Sequence, residues 1–172
     1  VYEVRQVIET LADTGSVLEL RRHFGTGMIT AFIRIEGRPF GVIANNPKHL
    51  AGAIDSPGAD KAARFMQLCD AFDIPILFLC DTPGIMVGPE VEKTAVVRHS
   101  CRMFVVGSNL SVPFFTIVLR KAYGLGAQTM AGGSHKAPLF TVRVCAIWKI
   151  QTSFAPPERV TSVGFITPVL HL

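Results

Sequence analysis

Residues 113–130 read Pro-Phe-Phe-Thr-Ile-Val-Leu-Arg-Lys-Ala-Tyr-Gly-Leu-Gly-Ala-Gln-Thr-Met, and this stretch decides the fold. Phe114, Phe115, Ile117, Val118 and Leu119 are aromatic or aliphatic and follow a proline, the signature of a buried strand with Pro113 at its front edge. The run breaks at Gly124 and Gly126 and resumes as a short helix near 127–130. Glycine lets the backbone turn sharply and approach closely. A strand that passes through a glycine turn into a helix leaves backbone N–H groups unpaired and pointing outward. Such donors suit a phosphate, a carboxylate or an enolate oxygen. A tight strand–helix turn that binds nothing explains the same short motif.

Outward from this stretch, the segments alternate. Val4, Val7, Ile8 and Leu11 recur at helical spacing, and Asp13-Thr-Gly-Ser16 ends that helix. Val17 to Leu20 suits a short strand. Met28 to Glu36 and Phe40 to Ala44 form a hairpin about a turn at Gly37-Arg-Pro39, and 48–57 is a loop. The spacing predicts a helix over 58–72, with Ala62, Phe65, Cys69 and Phe72 inward and Lys61, Arg64 and Asp70 outward. Ile76 to Cys80 is a continuous apolar run, a strand buried on both faces, followed by a turn at Asp81-Thr-Pro-Gly84. A second helix is expected over 90–106, with Val97, Cys101 and Phe104 inward and its acids and arginines matched to the helix dipole. Leu139 to Val144 reads as one more strand. The order implies an α/β fold with right-handed crossovers and neighbouring parallel strands.

Composition narrows the function. The 172 residues are 49% hydrophobic and 17% charged, so the chain can bury a core. No apolar run is long enough to cross a bilayer, and the start lacks a basic-then-apolar leader. A cytoplasmic piece of a longer protein is the expectation. The net charge of +4 is modest and scattered, with no aromatic residues interleaved as a nucleic-acid platform requires. A basic edge still attracts a polyanion such as a phosphate-bearing coenzyme. Cys69, Cys80, Cys101 and Cys145 sit in apolar contexts without Cys-x-x-Cys spacing, as reduced core thiols do. The five histidines show no paired spacing, so no metal is expected.

Candidate chemistry is sparse. Asp81-x-x-Gly84 after a buried strand occurs in nucleotide-dependent GTPases, but residues 1–80 contain no phosphate loop. There is no Gly-x-Ser-x-Gly elbow, and Ser134-His135 is read as a loop. Arg120 and Lys121 are either solvated or hold a ligand's acidic group. Two glycine turns after buried strands, without an obvious side-chain acid or base, favour backbone donors working with a reactive cofactor.

Several strings together resemble the C-terminal half of the carboxyltransferase (beta) subunit of biotin-dependent acyl-CoA carboxylases. They are Tyr2-Glu-Val-Arg-Gln-Val-Ile8, Gly37-Arg-Pro-Phe-Gly41, Ala44-Asn-Asn46, Lys61-Ala-Ala-Arg-Phe65, Cys69-Asp-Ala-Phe-Asp-Ile-Pro75, Asp81-Thr-Pro-Gly84 and Leu119-Arg-Lys-Ala-Tyr-Gly124. The resemblance implies part of a crotonase-like ββα superhelix. It implies transfer of a carboxyl group from carboxybiotin, on a partner's biotin carboxyl carrier domain, to the α-carbon of an acyl-CoA. In that setting the backbone N–H groups of Leu125 and Gly126 form an oxyanion hole. Gly84, Ile85, Gly124 and Ala127 fall on the biotin side of the cleft, and Gln128 falls where acyl-chain length is tuned. The implied partners are a biotin carboxylase subunit, the N-terminal carboxyltransferase half, and further copies in a homo-oligomer. The fragment alone is expected to be inactive.

The resemblance covers residues 1–142. The tail 143–172, beginning Arg143-Val-Cys-Ala-Ile-Trp-Lys149, departs from the pattern, as an altered reading frame would produce. Two other functions fit less: an inactive scaffold of the same fold, and a crotonase-type hydratase or isomerase using Glu90 or Glu92.

Overall fold

A computed structural model describes residues 1–134, 138–143 and 164–165. His135, Cys145, Trp148, His171 and most of the tail lie outside the described residues, and with them the expectations attached to them.

A seven-stranded sheet runs in simple sequence order, β1 to β7. Its strands are β1 (Leu18–Leu20), β2 (Met28–Ile35), β3 (Arg38–Asn45), β4 (Ile76–Thr82), β5 (Phe114–Ala122), β6 (Phe140–Arg143) and β7 (Gly164–Phe165). The first three are antiparallel, β3 through β6 are parallel, and β7 returns antiparallel. The hairpin is one residue tighter than its sequence suggests. Glu36 and Gly37 both have positive φ (51° and 78°), the two-residue turn whose twist matches the strands, so Arg38 and Pro39 already lie in β3.

Helices α1 (Val4–Leu11), α2 (Ser56–Ala71), α3 (Pro89–Glu92), α4 (Val96–Asn109) and α5 (Gly124–Thr129) cover the two faces. On one face Ile43, Phe78, Cys80 and Phe114 pack under Ala62, Phe65 and Met66 of α2 and Met103 of α4. On the other, Val4 and Ile8 of α1 meet Ile29, Ile33, Val42, Leu77 and Leu79. All seven residues of β4 are buried, because successive side chains enter opposite cores. The strand therefore extends past Cys80, and Asp81 and Thr82 belong to it rather than to the following turn.

Several helix expectations are corrected. α2 starts earlier, at Ser56, because the Asp55 carboxylate accepts from Gly58 N at 2.9 Å and Pro57 fits the first turn. Its last aromatic, Phe72, lies past the helix and is 68% exposed. Lys61, expected outward, is only 2% exposed. The single helix over 90–106 is two helices. Ala95 adopts a left-handed conformation (φ 53°), and the Thr94 hydroxyl donates to Val91 O at 2.7 Å, closing α3. α4 then turns Val96, Ser100, Met103 and Gly107 inward. Val97 is left 60% exposed and Cys101 is also exposed, while Phe104 is half-buried. Cys101 is therefore not a core thiol. Cys69 and Cys80 are, and burial pushes both up to about 12.

Lys61 supplies the first test. Burial lowers its ammonium from an ordinary 10.5 to about 8, opposed by the charge of Glu19. The folded state thus binds fewer protons than the unfolded chain between pH 8 and 10.5, and stability rises with pH across that window. Lys61→Met is expected to stabilise the fold by about 2 kcal/mol at neutral pH. The gain should shrink as the pH approaches 10.5, read by denaturant unfolding at each pH.

Candidate functional site

The two glycine turns leave the sheet at the C-terminal ends of neighbouring parallel strands, where α/β sheets collect ligands. After β4, Thr82 Oγ1 accepts from Gly84 N at 3.1 Å, and Gly84 takes φ 135°. Gly84 O accepts from Ile54 N at 3.0 Å, and Met86 N donates to Ile54 O at 2.9 Å. This small parallel bridge sets Ile85, half-buried, beside Ile54.

After β5, Tyr123 N donates to Thr82 O at 3.3 Å, which ties the second turn to the end of β4. Gly124 takes φ 55°, and α5 begins there, earlier than the expected 127–130. The first bond into α5 comes from Ala127 N, to Tyr123 O at 3.2 Å. Among the described residues, the N–H groups of Leu125 and Gly126 therefore have no backbone acceptor. Leu125 is 59% exposed, and Gly124 and Gln128 share its open side. Ala127 is half-buried, and Gly126 is buried. The Thr129 hydroxyl donates back to Gly126 O at 2.8 Å, fixing the turn from behind.

The two turns touch. A Cβ at Gly126 would stand 2.7 Å from Gly84 Cα and 2.8 Å from Gly84 C. Both contacts are to backbone, so no flexible side chain can yield. The structure thus brings Gly84, Ile85 and the 124–128 segment into one place. Glu90 and Glu92 lie on exposed α3, and Glu90 is taken by Lys93 at 2.6 Å.

One cluster was not legible in the sequence. The register of β4 with β5 slips between Cys80–Val118 and Thr82–Ala122. The irregularity frees Lys121 N from the ladder, and it donates to Asp81 Oδ1 at 3.3 Å. Asp81 is fully buried. Its carboxylate also accepts from Tyr2 Oη at 2.8 Å and pairs with Arg120 Nε at 3.2 Å. Arg120 lies over the Tyr2 ring, 5.6 Å from its centre. Burial, then the bond to Asp81, pushes the Tyr2 phenol well above its ordinary value, so it remains a donor. Lys121 Nζ donates to Ala51 O at 2.8 Å. Arg120 and Lys121 therefore each hold a group of this chain. Among the described residues, no three His, Cys, Asp or Glu side chains group as a metal site, and no helix is long and apolar enough to cross a membrane.

With this geometry, the comparisons with known proteins are direct. The family model described as "Carboxyl transferase domain" matches residues 1–165. The chain belongs to that family. It is 37% identical over 172 residues to an uncharacterized carboxylase, YngE, of Bacillus subtilis, covering 99% of this chain and 33% of that protein. It is 42% identical over 134 residues to the propionyl-CoA carboxylase beta chain of Roseobacter denitrificans, covering 78% and 26%. Among solved structures, a single-chain, multi-domain long-chain acyl-CoA carboxylase superposes with a TM-score of 0.81 at 56% identity, covering 83% of this chain and 15% of that one. The transcarboxylase 12S subunit, solved as a hexamer with methylmalonyl-CoA, gives 0.73 at 41% identity over 75% and 25%. The expected crotonase-like fold is the fold observed, in part. The chain spans 33% and 26% of the length of the two curated relatives.

Two stability outcomes follow. Tyr2→Phe leaves the buried carboxylate of Asp81 one donor short and is expected to cost about 2 kcal/mol in denaturant unfolding. Gly126→Ala drives a methyl into the Gly84 backbone and is expected to cost about 2 kcal/mol in the same measurement.

Proposed function

We propose that this chain is the biotin-facing part of an acyl-CoA carboxyltransferase, moving a carboxyl group between biotin and the α-carbon of an acyl-CoA. What carries the reading is the pair of backbone donors at Leu125 and Gly126, without backbone acceptors among the described residues and set against Gly84, in a chain of this family. Two N–H groups held by a turn that is itself pinned from two sides need no reorganisation to meet an oxygen that gains negative charge.

The donor set suits biotin. A ureido oxygen accepts two N–H bonds, and the exposed Leu125 side chain beside the donors offers an apolar surface for a ring. Biotin, when bound, supplies the carboxyl group. The chain's own residues hold and orient: Leu125 and Gly126 donate to an anionic oxygen, and Gly84, Ile85, Gly124 and Ala127 shape the wall on the biotin side. Gln128, on the exposed face one turn beyond Gly124, is assigned to acyl-chain selection. Activity is proposed for the whole subunit, in which an N-terminal half completes the acyl-CoA site and a biotin carboxyl carrier domain delivers the cofactor. An inactive scaffold would share the fold and lose the donors' role.

The test uses the full-length subunit. Leu125→Pro removes one donor at a position in the first helical turn, where proline is tolerated. Leu125→Ala removes the side chain and keeps the donor. Carboxyl transfer from carboxybiotin is expected to fall about 100-fold or more in the proline variant. In the alanine variant the expected loss is under about 10-fold. Equal turnover in both, with circular dichroism showing intact folds, would remove the backbone donor from the mechanism.

A further inference from the structure

The loop after β3 leaves the sheet at the same end as the two glycine turns, because β3, β4 and β5 are parallel. Residues 46–54 run back across that end as a strap. At its root the Asn45 side chain accepts from Asp81 N at 3.0 Å, beyond the last ladder pair of β3 with β4, Ala44 with Leu79. At its far end Ile54 N donates to Gly84 O, and Ile54 O accepts from Met86 N. Between these ends lies a short turn, Leu50–Gly52, in which three successive residues take positive φ: 46°, 53° and 89°.

Only the last of the three is a glycine. A Cβ at Gly52 would fall on Asp81 O, so the strap rests there on the end of β4. Leu50 and Ala51 carry side chains in a left-handed conformation that L-residues avoid, and such a conformation persists where the surroundings hold it. Both residues are exposed, so burial of their side chains is not that hold. The turn's own bonds, Gly52 N to His49 O and Ala53 N to Leu50 O, fix its shape but not its place on the sheet. Lys121 fixes the place. Its ammonium donates to Ala51 O at 2.8 Å, in the middle of the run. Among the described residues, no other donor reaches that carbonyl and no other hydrogen bond joins the strap to β5. The backbone of Lys121 is itself fixed, since its N–H donates to Asp81 Oδ1 at 3.3 Å.

We propose that Lys121 is a positioning residue for the carboxyl transfer. Through the strap it holds Gly84, and with Gly84 the donors of Leu125 and Gly126, at the spacing the chemistry needs. The path is short. Lys121 holds Ala51, Ile54 holds Gly84 O, and Gly84 abuts Gly126. Without the ammonium, the Leu50–Ala51 pair would relax toward ordinary backbone and carry Ile54 with it. In this role Lys121 needs no contact with biotin or acyl-CoA. The inference rests on the proposed carboxyl transfer, and the strap is measured separately from it.

The test is Lys121→Met in the full-length subunit, which keeps the length of the side chain and removes the donor. Lys121 is half-buried, so the core is left as it is. Amide hydrogen exchange at Ile54 and Met86 is expected to quicken about 10-fold, because their bonds close the strap onto the first glycine turn. The kcat of carboxyl transfer is expected to fall about 10-fold or more, with KM for the acyl-CoA within about 2-fold of wild type. Lys121→Arg, which keeps a cationic donor, is expected to recover part of the kcat. Ala51→Gly, which removes the left-handed penalty, is expected to return part of the turnover to Lys121→Met. A lysine acting on the substrate directly would not be rescued in that way. Unchanged exchange at both amides, a loss confined to KM, or Ala51→Gly without effect on Lys121→Met would overturn the proposal. Wild-type turnover in Leu125→Pro would count against the donors alone, while exchange in Lys121→Met still reports on the strap.

Discussion

Two backbones without Cβ atoms set the spacing on which the site depends. Gly84 and Gly126 approach so closely that a methyl on Gly126 would meet the Gly84 main chain at 2.7 Å, whereas one on Gly84 would meet only Tyr123 O at 3.9 Å. The approach exists because β4 and β5 are parallel neighbours whose ends both break into glycine turns. Tyr123 N bonding to Thr82 O joins those ends before the helix begins. Everything later in the turn inherits its position from that join. α5 starts at Gly124, where φ is positive, and starting there leaves the N–H groups of Leu125 and Gly126 without backbone acceptors among the described residues.

The alternation of apolar runs with glycine and proline breaks was enough to read the sheet. Ile76 to Cys80 is apolar without alternation, which double-sided burial explains, while Phe114 to Leu119 is apolar but for Thr116 and leaves Phe115, Ile117 and Val118 half-buried. What escaped was set by geometry between segments distant in sequence. Lys61 is charged and was placed on the outer face of α2, yet it is buried, its ammonium near Glu19 of β1, a strand some forty positions earlier. The face of α4 was misread by one position. Ala95 in a left-handed conformation breaks the pattern, and no residue type there announces it. Of the stripe it chose, Val97 and Cys101 are exposed and Phe104 is half-buried.

Asp81 shows how one buried charge can organise several elements. In the sequence it reads as a turn residue after a buried strand. In the fold it ends β4, fully buried, and draws donors from the N-terminal Tyr2, from the Arg120 side chain and from Lys121 N. A carboxylate without these partners would be costly to bury, so the irregular register of β4 with β5 and the position of Tyr2 are coupled through it. Tyr2 precedes α1 by only two residues. The helix that covers the far core is therefore anchored three residues before Gly84, at the root of the first glycine turn.

These anchors explain why the donor turn can be stiff without resting on the helix layer alone. On the far side of the sheet, Tyr2, Asp81 and Arg120 close the base of the turns through charge-assisted bonds. On the near side, α2 and α4 contribute a core through one stripe each and present arginines and valines outward. A chain that stabilised its site through α4 alone would lose the site whenever that outer face repacked against something new. Because the glycine turns are also tied to β4, to Ile54 and to the N-terminal tyrosine, their position does not rest on α4 alone.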